Sequence, residues 1–389
     1  MGFQISNTVF FHHVIQNLQG RNLNMSTAIM DNIPKTMHAV QCLGPENYQL
    51  QEIPVPTPGP TEVLVKIDAC GICASDVKCY TGAPMFWGDG VHPGYAQPPI
   101  TPGHELIGTV VAMGEGAGGM YGLDIGDRAI SEQIVPCGKC RFCLSGRYWI
   151  CAHRDIYGFR KYSPGGMAEY MLFPARARNY KVPREIPIEK AALIEPLSCS
   201  MHAVDRAHME FGDFVVIAGA GTLGLGMVAN ARLRNPGQLC VLDFDDHRLE
   251  IAKNLGADIT INPSKVDAIA EVKRLTDGYG CDVYIEATGV PEGVRQGLEM
   301  IRKGGNFVEF SVMGKETTAD WTTIGDGKEI TIYGSHLGPY CYPKVIDYLQ
   351  RGILKTDGIV SHQLSLDSFL EGFHLAHDPS KSIKVLLRP

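Results

Sequence analysis

Three side chains in the first third of the chain could hold a metal ion and leave it reactive. Cys73 sits in Gly71-Ile72-Cys73-Ala74-Ser75-Asp76, and His104 and Glu105 end Thr101-Pro102-Gly103-His104-Glu105. A thiolate, an imidazole and a carboxylate form an open zinc set, in which a fourth position stays free for water or substrate. Gly71 and Gly103 flank the two halves and suit tight turns that bring backbone close to an ion. A second group is Cys137, Cys140, Cys143 and Cys151, spaced Cys-x2-Cys-x2-Cys-x7-Cys. Four thiolates this close suit a closed tetrahedral zinc with no open position, hence a structural role. An iron–sulfur cluster meets the same spacing. Two disulfides conflict with the other cysteines, which lie in apolar strings such as Leu239-Cys240-Val241-Leu242 and read as small hydrophobes of a reducing compartment.

A third constellation binds rather than reacts. Gly219-Ala220-Gly221-Thr222-Leu223-Gly224 follows the apolar run Asp213–Ala218 and enters an apolar helix, Leu225–Leu233. The next run, Gln238–Leu242, ends in Asp243, 24 residues after Gly219. In that strand–turn–helix–strand context the glycines form a dinucleotide fingerprint. Gly219 makes the turn, Gly221 lets backbone approach the pyrophosphate, and Gly224 packs the helix on the strand. The helix N-terminus faces the anion. Asp243 accepts from the adenosine ribose hydroxyls and repels a 2′-phosphate, which favours NAD over NADP. Thr222, Leu223, Arg248 and Thr288 complete the expected cofactor contacts.

The elements that must position these groups fall into two patterns. From His38 onward short strands bounded by glycine and proline predict a small β-barrel-like domain. They include His38–Cys42, Tyr48–Ile53, Glu62–Ala69, Gly108–Gly114 and Gly126–Ile130. Residues 189–210 read as helical, with Pro196 interrupting the run and Glu195 beside it. The bland reading of Glu195 is a solvated helix residue. From Asp213 strands and helices alternate, predicting about six parallel strands with crossover helices. The tail, with a helix near Lys344–Gln350 and a final strand-like Ile383–Leu387, is expected to return to the first domain. Residues 1–36 read as an Asn- and Gln-rich, mobile extension, and Met25, Met30 and Met37 are alternative starts. The resulting domains are 1–36; 37–196 with 337–389, including a zinc lobe at 136–152; and 197–336.

Composition narrows the class. The chain has 389 residues, 44% hydrophobic and 20% charged, with net charge −7. That suits a soluble globular protein of two domains. No basic stripe points to nucleic acid, and no apolar run reaches the ~20 residues that span a bilayer. Val9-Phe10-Phe11 is too short for a secretory core, and Arg21 and Lys35 are too few for a mitochondrial presequence. A cytoplasmic location is expected.

Taken in order, the open metal half-site, Gly-His-Glu, the four-cysteine lobe, the Glu-Pro helix and the fingerprint resemble the zinc-dependent medium-chain dehydrogenases. The resemblance spans residues 37–389. Ala192-Leu193-Ile194-Glu195-Pro196-Leu197-Ser198 and Gly103-His104-Glu105 look like the polyol branch, which includes sorbitol and threonine dehydrogenases. The Phe86-Trp87-Gly88-Asp89 insert, Ser131–Cys137 and His336-Leu337-Gly338-Pro339-Tyr340-Cys341 look most like its erythritol/L-threitol group.

The resemblance implies an α/β fold: a GroES-like β-barrel catalytic domain plus a Rossmann doubly wound parallel sheet. It implies two zinc ions per chain, NAD, a small polyol substrate and a homo-oligomer, dimer or tetramer. Cys73, His104 and Glu105 are then the catalytic ligands. Glu195 stands behind them, holding the metal-bound water, or serves as an alternate ligand. Ser75 accepts the substrate proton; its bland reading is a serine that caps the next helix. Phe86, Trp87, His336 and Tyr340 are candidate pocket residues. Departures matter too. Lys78 replaces a relay His found in many relatives, and Leu337-Gly338 replaces the Arg-Tyr pair of sorbitol dehydrogenases. Both argue against sorbitol and toward a four-carbon polyol, threitol or erythritol, oxidised to erythrulose.

Overall fold

A computed structural model describes residues 33–389. The expected N-terminal extension therefore lies almost wholly outside the described residues, which begin three positions before the first strand. That strand, β1 (Thr36–Gly44), pairs antiparallel with β2 (Asn47–Pro54), and both match the alternating runs of the sequence. The run Glu62–Ala69 becomes β3 (Val63–Ile72), buried along nearly its whole length except at Lys66. Such a strand must lie inside a sheet rather than at its edge. It does: β4 (Glu105–Met113), β8 (Tyr170–Phe173) and β17 (Lys384–Arg388) all pair antiparallel with it. With β5 (Arg128–Ser131), β9 (Asn179–Lys181) and β16 (Val360–Ser365) they form a seven-stranded barrel-like sheet. Its path contains the last strand of the chain, so the tail does return to the first sheet. A short ribbon, β6 (Ile134–Val135) with β7 (Asp155–Ile156), frames the four-cysteine lobe.

The second sheet has six parallel strands in the order β12-β11-β10-β13-β14-β15. These are β10 (Phe214–Ala218), β11 (Gln238–Leu242), β12 (Ile259–Ile261), β13 (Cys281–Glu286), β14 (Ile301–Glu309) and β15 (Thr331–Gly334). The order reverses between β10 and β13, the switch point where a doubly wound sheet opens a crevice at its carboxyl edge. Helices Thr222–Arg232, Asp246–Leu255, Ala268–Leu275 and Pro291–Met300 make the crossovers.

Helix Ile194–Arg206 joins the sheets and departs from the sequence reading. Pro196 does not interrupt it; it lies in the first turn, where no intrahelical partner awaits its missing N–H. The break falls earlier, between Ala191 and Ile194. The helix also runs without interruption across the boundary expected at 196/197. Its Leu197, Met201 and Val204 belong to one apolar cluster reaching from Ala69, Ile107 and Leu386 of the barrel to Val215, Ile217 and Ile285 of the parallel sheet. Truncating such a residue leaves a cavity and costs ~2–5 kcal/mol.

Candidate active site and metal centres

Strand β3 delivers Cys73 to the start of helix Ala74–Tyr80, where it is the N-cap. Asp76, one turn on and 1% exposed, folds back so that its Oδ2 accepts from Cys73 N at 2.9 Å. Its other oxygen lies 3.6 Å from His104 Nδ1. A carboxylate facing Nδ1 orients the imidazole and leaves Nε2 for a metal. Ser75 Oγ lies 3.5 Å from that Nε2.

Glu105 opens β4 directly opposite Gly71 of β3. A Cβ at Gly71 would strike Glu105 Oε2, so only glycine leaves room for the carboxylate. Gly103 has φ +97, and a Cβ there would approach Cys70 Sγ to 2.6 Å. The ligand atoms of Cys73, His104 and Glu105 come within 4.8 Å of one another.

One further group holds this trio and another stands near it. Lys384 Nζ, at the start of β17, meets Glu105 Oε2 at 2.5 Å and donates to Ile72 O at 2.9 Å. Burial opposes the Lys384 charge, yet Glu105 and Cys73 together hold its pKa above the usual lysine value. Glu195 is 4% exposed, not solvated, and its Oε1 accepts from Gln133 Nε2 at 2.6 Å and Cys199 Sγ at 3.3 Å. Gln133 is held in turn by Tyr342 OH at 2.8 Å. Burial, reinforced by the Glu105 charge, pushes Glu195 up to about 7. The sequence reading missed Asp76, Gln133 and Lys384. Asp76 alone left a signal, three residues after the thiol and facing it across one helical turn.

The four-cysteine group is drawn together as well. Its ligand atoms also lie within 4.8 Å of one another. Sγ separations are 3.5 Å for Cys140–Cys143, 3.9 Å for Cys140–Cys151 and 4.0 Å for Cys137–Cys143. A tetrahedron with Zn–S near ~2.3 Å needs ~3.8 Å between sulfurs. No two of the twelve cysteines are joined, so the disulfide alternative fails. Backbone N–H groups of Ala152 and Cys143 pull the Cys140 thiol down to about 6.

At the crevice, Gly219 has φ +100, and a Cβ there would meet Ala287 O at 2.7 Å. A Cβ on Gly224 would strike Gly219 O, whereas one on Gly221 would meet only Arg248 Nη1, at an ordinary contact of 3.9 Å. Asp243 accepts from Ala220 N at 2.7 Å and Asp245 N at 2.9 Å, one bond to each oxygen. Thr222 Oγ1 and Arg248 Nη2 both turn to the C-terminal segment, donating to Ile383 O at 2.8 Å and Ser382 O at 2.7 Å. Leu223 O accepts from Ser200 Oγ at 2.9 Å, and Thr288 N donates to Glu286 Oε1 at 2.8 Å. Phe244, Val290 and Val312, just past β11, β13 and β14, stand exposed at this edge.

The aromatic residues form layers. Phe159 packs on the His104 ring at 5.5 Å, and Phe86 stacks behind Phe159 at 4.9 Å. Trp87 donates its indole N–H to Cys79 O at 2.7 Å. His336 is largely buried, and desolvation, with Arg154 adding to it, lowers its pKa to about 4. Tyr340 is half-exposed and donates to Gly146 O at 2.6 Å, clasping the cysteine lobe.

Family comparisons match this geometry. The model for the alcohol dehydrogenase GroES-like domain fits residues 59–184, and that for zinc-binding dehydrogenases fits residues 222–351. An erythritol/L-threitol dehydrogenase of Mycolicibacterium smegmatis is 47% identical over 92% of this chain and 99% of its own length. The chain belongs to the zinc-binding alcohol and polyol dehydrogenases. A sorbitol dehydrogenase of Halalkalibacterium halodurans is 32% identical, covering 92% of this chain and 99% of its own. A zinc-binding dehydrogenase of Sinorhizobium meliloti solved with NADP superposes with a TM-score of 0.81 at 29% identity, covering 92% of this chain and all of that one. Membership of the dehydrogenase family makes the chain an oxidoreductase with a GroES-like and a Rossmann sheet. No helix among the described residues is long and apolar enough to cross a membrane.

Proposed function

We propose that this dehydrogenase oxidises a secondary hydroxyl of a four-carbon polyol, threitol or erythritol, to erythrulose with NAD. The observation that carries the reading is the open Cys73–His104–Glu105 trio beside Ser75, in a chain so similar to an erythritol/L-threitol dehydrogenase. The reaction balances as alcohol plus NAD giving ketone, NADH and a proton. When bound, zinc polarises the substrate oxygen and lowers its pKa, and the nicotinamide takes the hydride. Cys73, His104 and Glu105 would hold that zinc, and Cys137, Cys140, Cys143 and Cys151 would hold a second, structural one. Ser75 receives the hydroxyl proton. Glu195, poised near neutrality, accepts a bond from an adjacent substrate hydroxyl or from water. Asp243 selects NAD: its carboxylate, held by the amides of Ala220 and Asp245 at the end of β11, would accept from the ribose hydroxyls and repel a 2′-phosphate.

The catalytic part comprises 37–196 and 337–389, and the cofactor part 197–336. The short-substrate reading is supported by Phe159 packed on His104 with Phe86 stacked behind it. A homo-oligomer is part of the reading. β15 ends the parallel sheet with Ile332 exposed, and an edge strand left open invites pairing. The location is cytoplasmic.

The test is NADH or NADPH production from matched four-, five- and six-carbon polyols, threonine and ethanol, with a metal count on the same protein. The reading expects two zincs, NAD preference and highest kcat/KM on a four-carbon polyol. Preference for sorbitol or threonine overturns the substrate, and preference for NADP overturns the role of Asp243.

A further inference from the structure

Helix Ala74–Tyr80 begins at Cys73 and carries Ser75 and Asp76, so its seating decides where the reacting oxygen stands against the cofactor crevice. One side chain on it reaches the other sheet. Lys78 Nζ, partly buried, donates to Val312 O at 2.6 Å, across 234 residues of chain. Val312 follows β14 at the carboxyl edge of the parallel sheet. Its loop is fastened to the β13 loop by Gly314 N to Gly289 O at 3.3 Å and Ser311 Oγ to Glu286 O at 3.4 Å. Thr288 stands between those fastenings. Ser75 and Lys78 lie three residues apart, on one face of the helix.

We propose that Lys78 is a positioning residue. It tethers the metal-bearing helix to the Val312 loop and so fixes the spacing between the open trio and the nicotinamide end of the crevice. The catalytic consequence rests on the dehydrogenase reading; the tether itself does not. An ammonium offers three donors and no lone pair. Held on a carbonyl, it stiffens the cleft through a charge-assisted bond and does not take the proton from Ser75. That proton leaves by another route.

The test uses the zinc-loaded full chain as wild type, Lys78→Met, Lys78→Leu and Lys78→Arg. Circular dichroism and zinc content verify that each is folded, and the two neutral variants stand in for each other. Without nucleotide or substrate, hydrogen–deuterium exchange in peptides covering residues 311–316 rises about fivefold in the neutral variants, the scale of one partly exposed charge-assisted bond. Lys78→Arg restores protection. The NADH dissociation constant, read by fluorescence, rises by a similar factor. The kcat-versus-pH profile keeps its midpoint. Unchanged exchange in a folded neutral variant overturns the tether, whether or not any polyol is oxidised. A shifted kcat midpoint that added primary amine restores makes Lys78 a proton carrier instead.

Discussion

The two thiolate sites are built on opposite plans. The closed lobe takes all four ligands from one stretch, Cys137–Cys151, and holds them with backbone N–H groups of the same stretch, such as Cys140 N on Cys137 Sγ at 3.3 Å. The open site gathers candidate ligands from residues 73, 104 and 105, with Lys384 bonded to Glu105 and the Gln133–Glu195 pair nearby on other elements. A local site forms wherever its loop forms. An assembled site exists only when the barrel sheet and the helix Ile194–Arg206 are both in place. The closed lobe is thus suited to stability, and the assembled one to chemistry that must wait for a finished fold.

Breaking one thiolate in each site tests that contrast most strongly. Cys73→Ser removes a ligand where metal polarisation is worth several kcal/mol of barrier. Turnover should fall at least about a thousandfold, with melting temperature almost unchanged. Cys140→Ser should do the reverse, because structural zinc binding of order ~10 kcal/mol is folding energy. Melting temperature, soluble yield and zinc stoichiometry should all drop. Metal analysis and calorimetry on both variants decide. A Cys140→Ser protein with full zinc content and stability would show that the lobe is not a structural metal site.

The next test asks who owns the Glu105 charge. Lys384→Met leaves a buried carboxylate unpaired, a loss of about 3–5 kcal/mol in metal-free protein. If Glu105 also serves zinc, the metal supplies the missing positive charge and the loss shrinks in zinc-loaded protein. Denaturant titrations with and without chelator measure the two losses. Equal losses mean that Glu105 belongs to Lys384 and not to the metal.

The same contrast explains what could be read from the chain alone. The lobe spacing and the glycine turn were legible because a few residues, close in sequence, carry the whole constraint. Strand β3 was legible because its apolar run leads straight to Cys73. Lys384 was not, since nothing near it in sequence says that β17 lands beside Gly71, 313 residues away. For Glu195 the residues alone leave a solvated reading open beside the one the family resemblance implies, because an i,i+4 pattern does not show that Gln133 and Tyr342 will cover it. Pro196 read as a breaker because its distance from the helix start was misjudged by a few residues, and a proline's effect reverses over that span. Phe159 carries no signal in the sequence that sets it apart from the other aromatics, although its ring packs on His104.

Asp243→Ala is the smaller, local counterpart of these tests. It removes a carboxylate already aimed by two amides. NAD binding should weaken by about 1–3 kcal/mol, the scale of hydrogen bonds to a charged group, while NADP binding changes little or improves. Fluorescence titration with both reduced cofactors gives the ratio. A variant that still prefers NAD to the wild-type extent would remove Asp243 from the selection.

The smallest effect concerns a carboxylate that lacks what Glu105 has. Glu105 lies against Lys384, but Glu309 stands beside Glu286 on the adjacent strand, and its Oε1 is buried without a hydrogen-bond partner among the described residues. Burial, with the Glu286 charge added, pushes Glu309 from 4.5 up to about 7. The sign follows from linkage. Between those two values the folded protein keeps a proton that the unfolded chain releases, so stability falls as pH rises through that window and levels off above it. Partial exposure reduces the cost to about 1 kcal/mol. Glu309→Gln should therefore stabilise the protein by about 1 kcal/mol near pH 8, with the gain shrinking toward zero as pH falls to about 5. Urea titrations of both proteins at several pH values measure it. A gain that does not vary with pH, or a loss near pH 8, would show that ionising Glu309 costs the fold nothing.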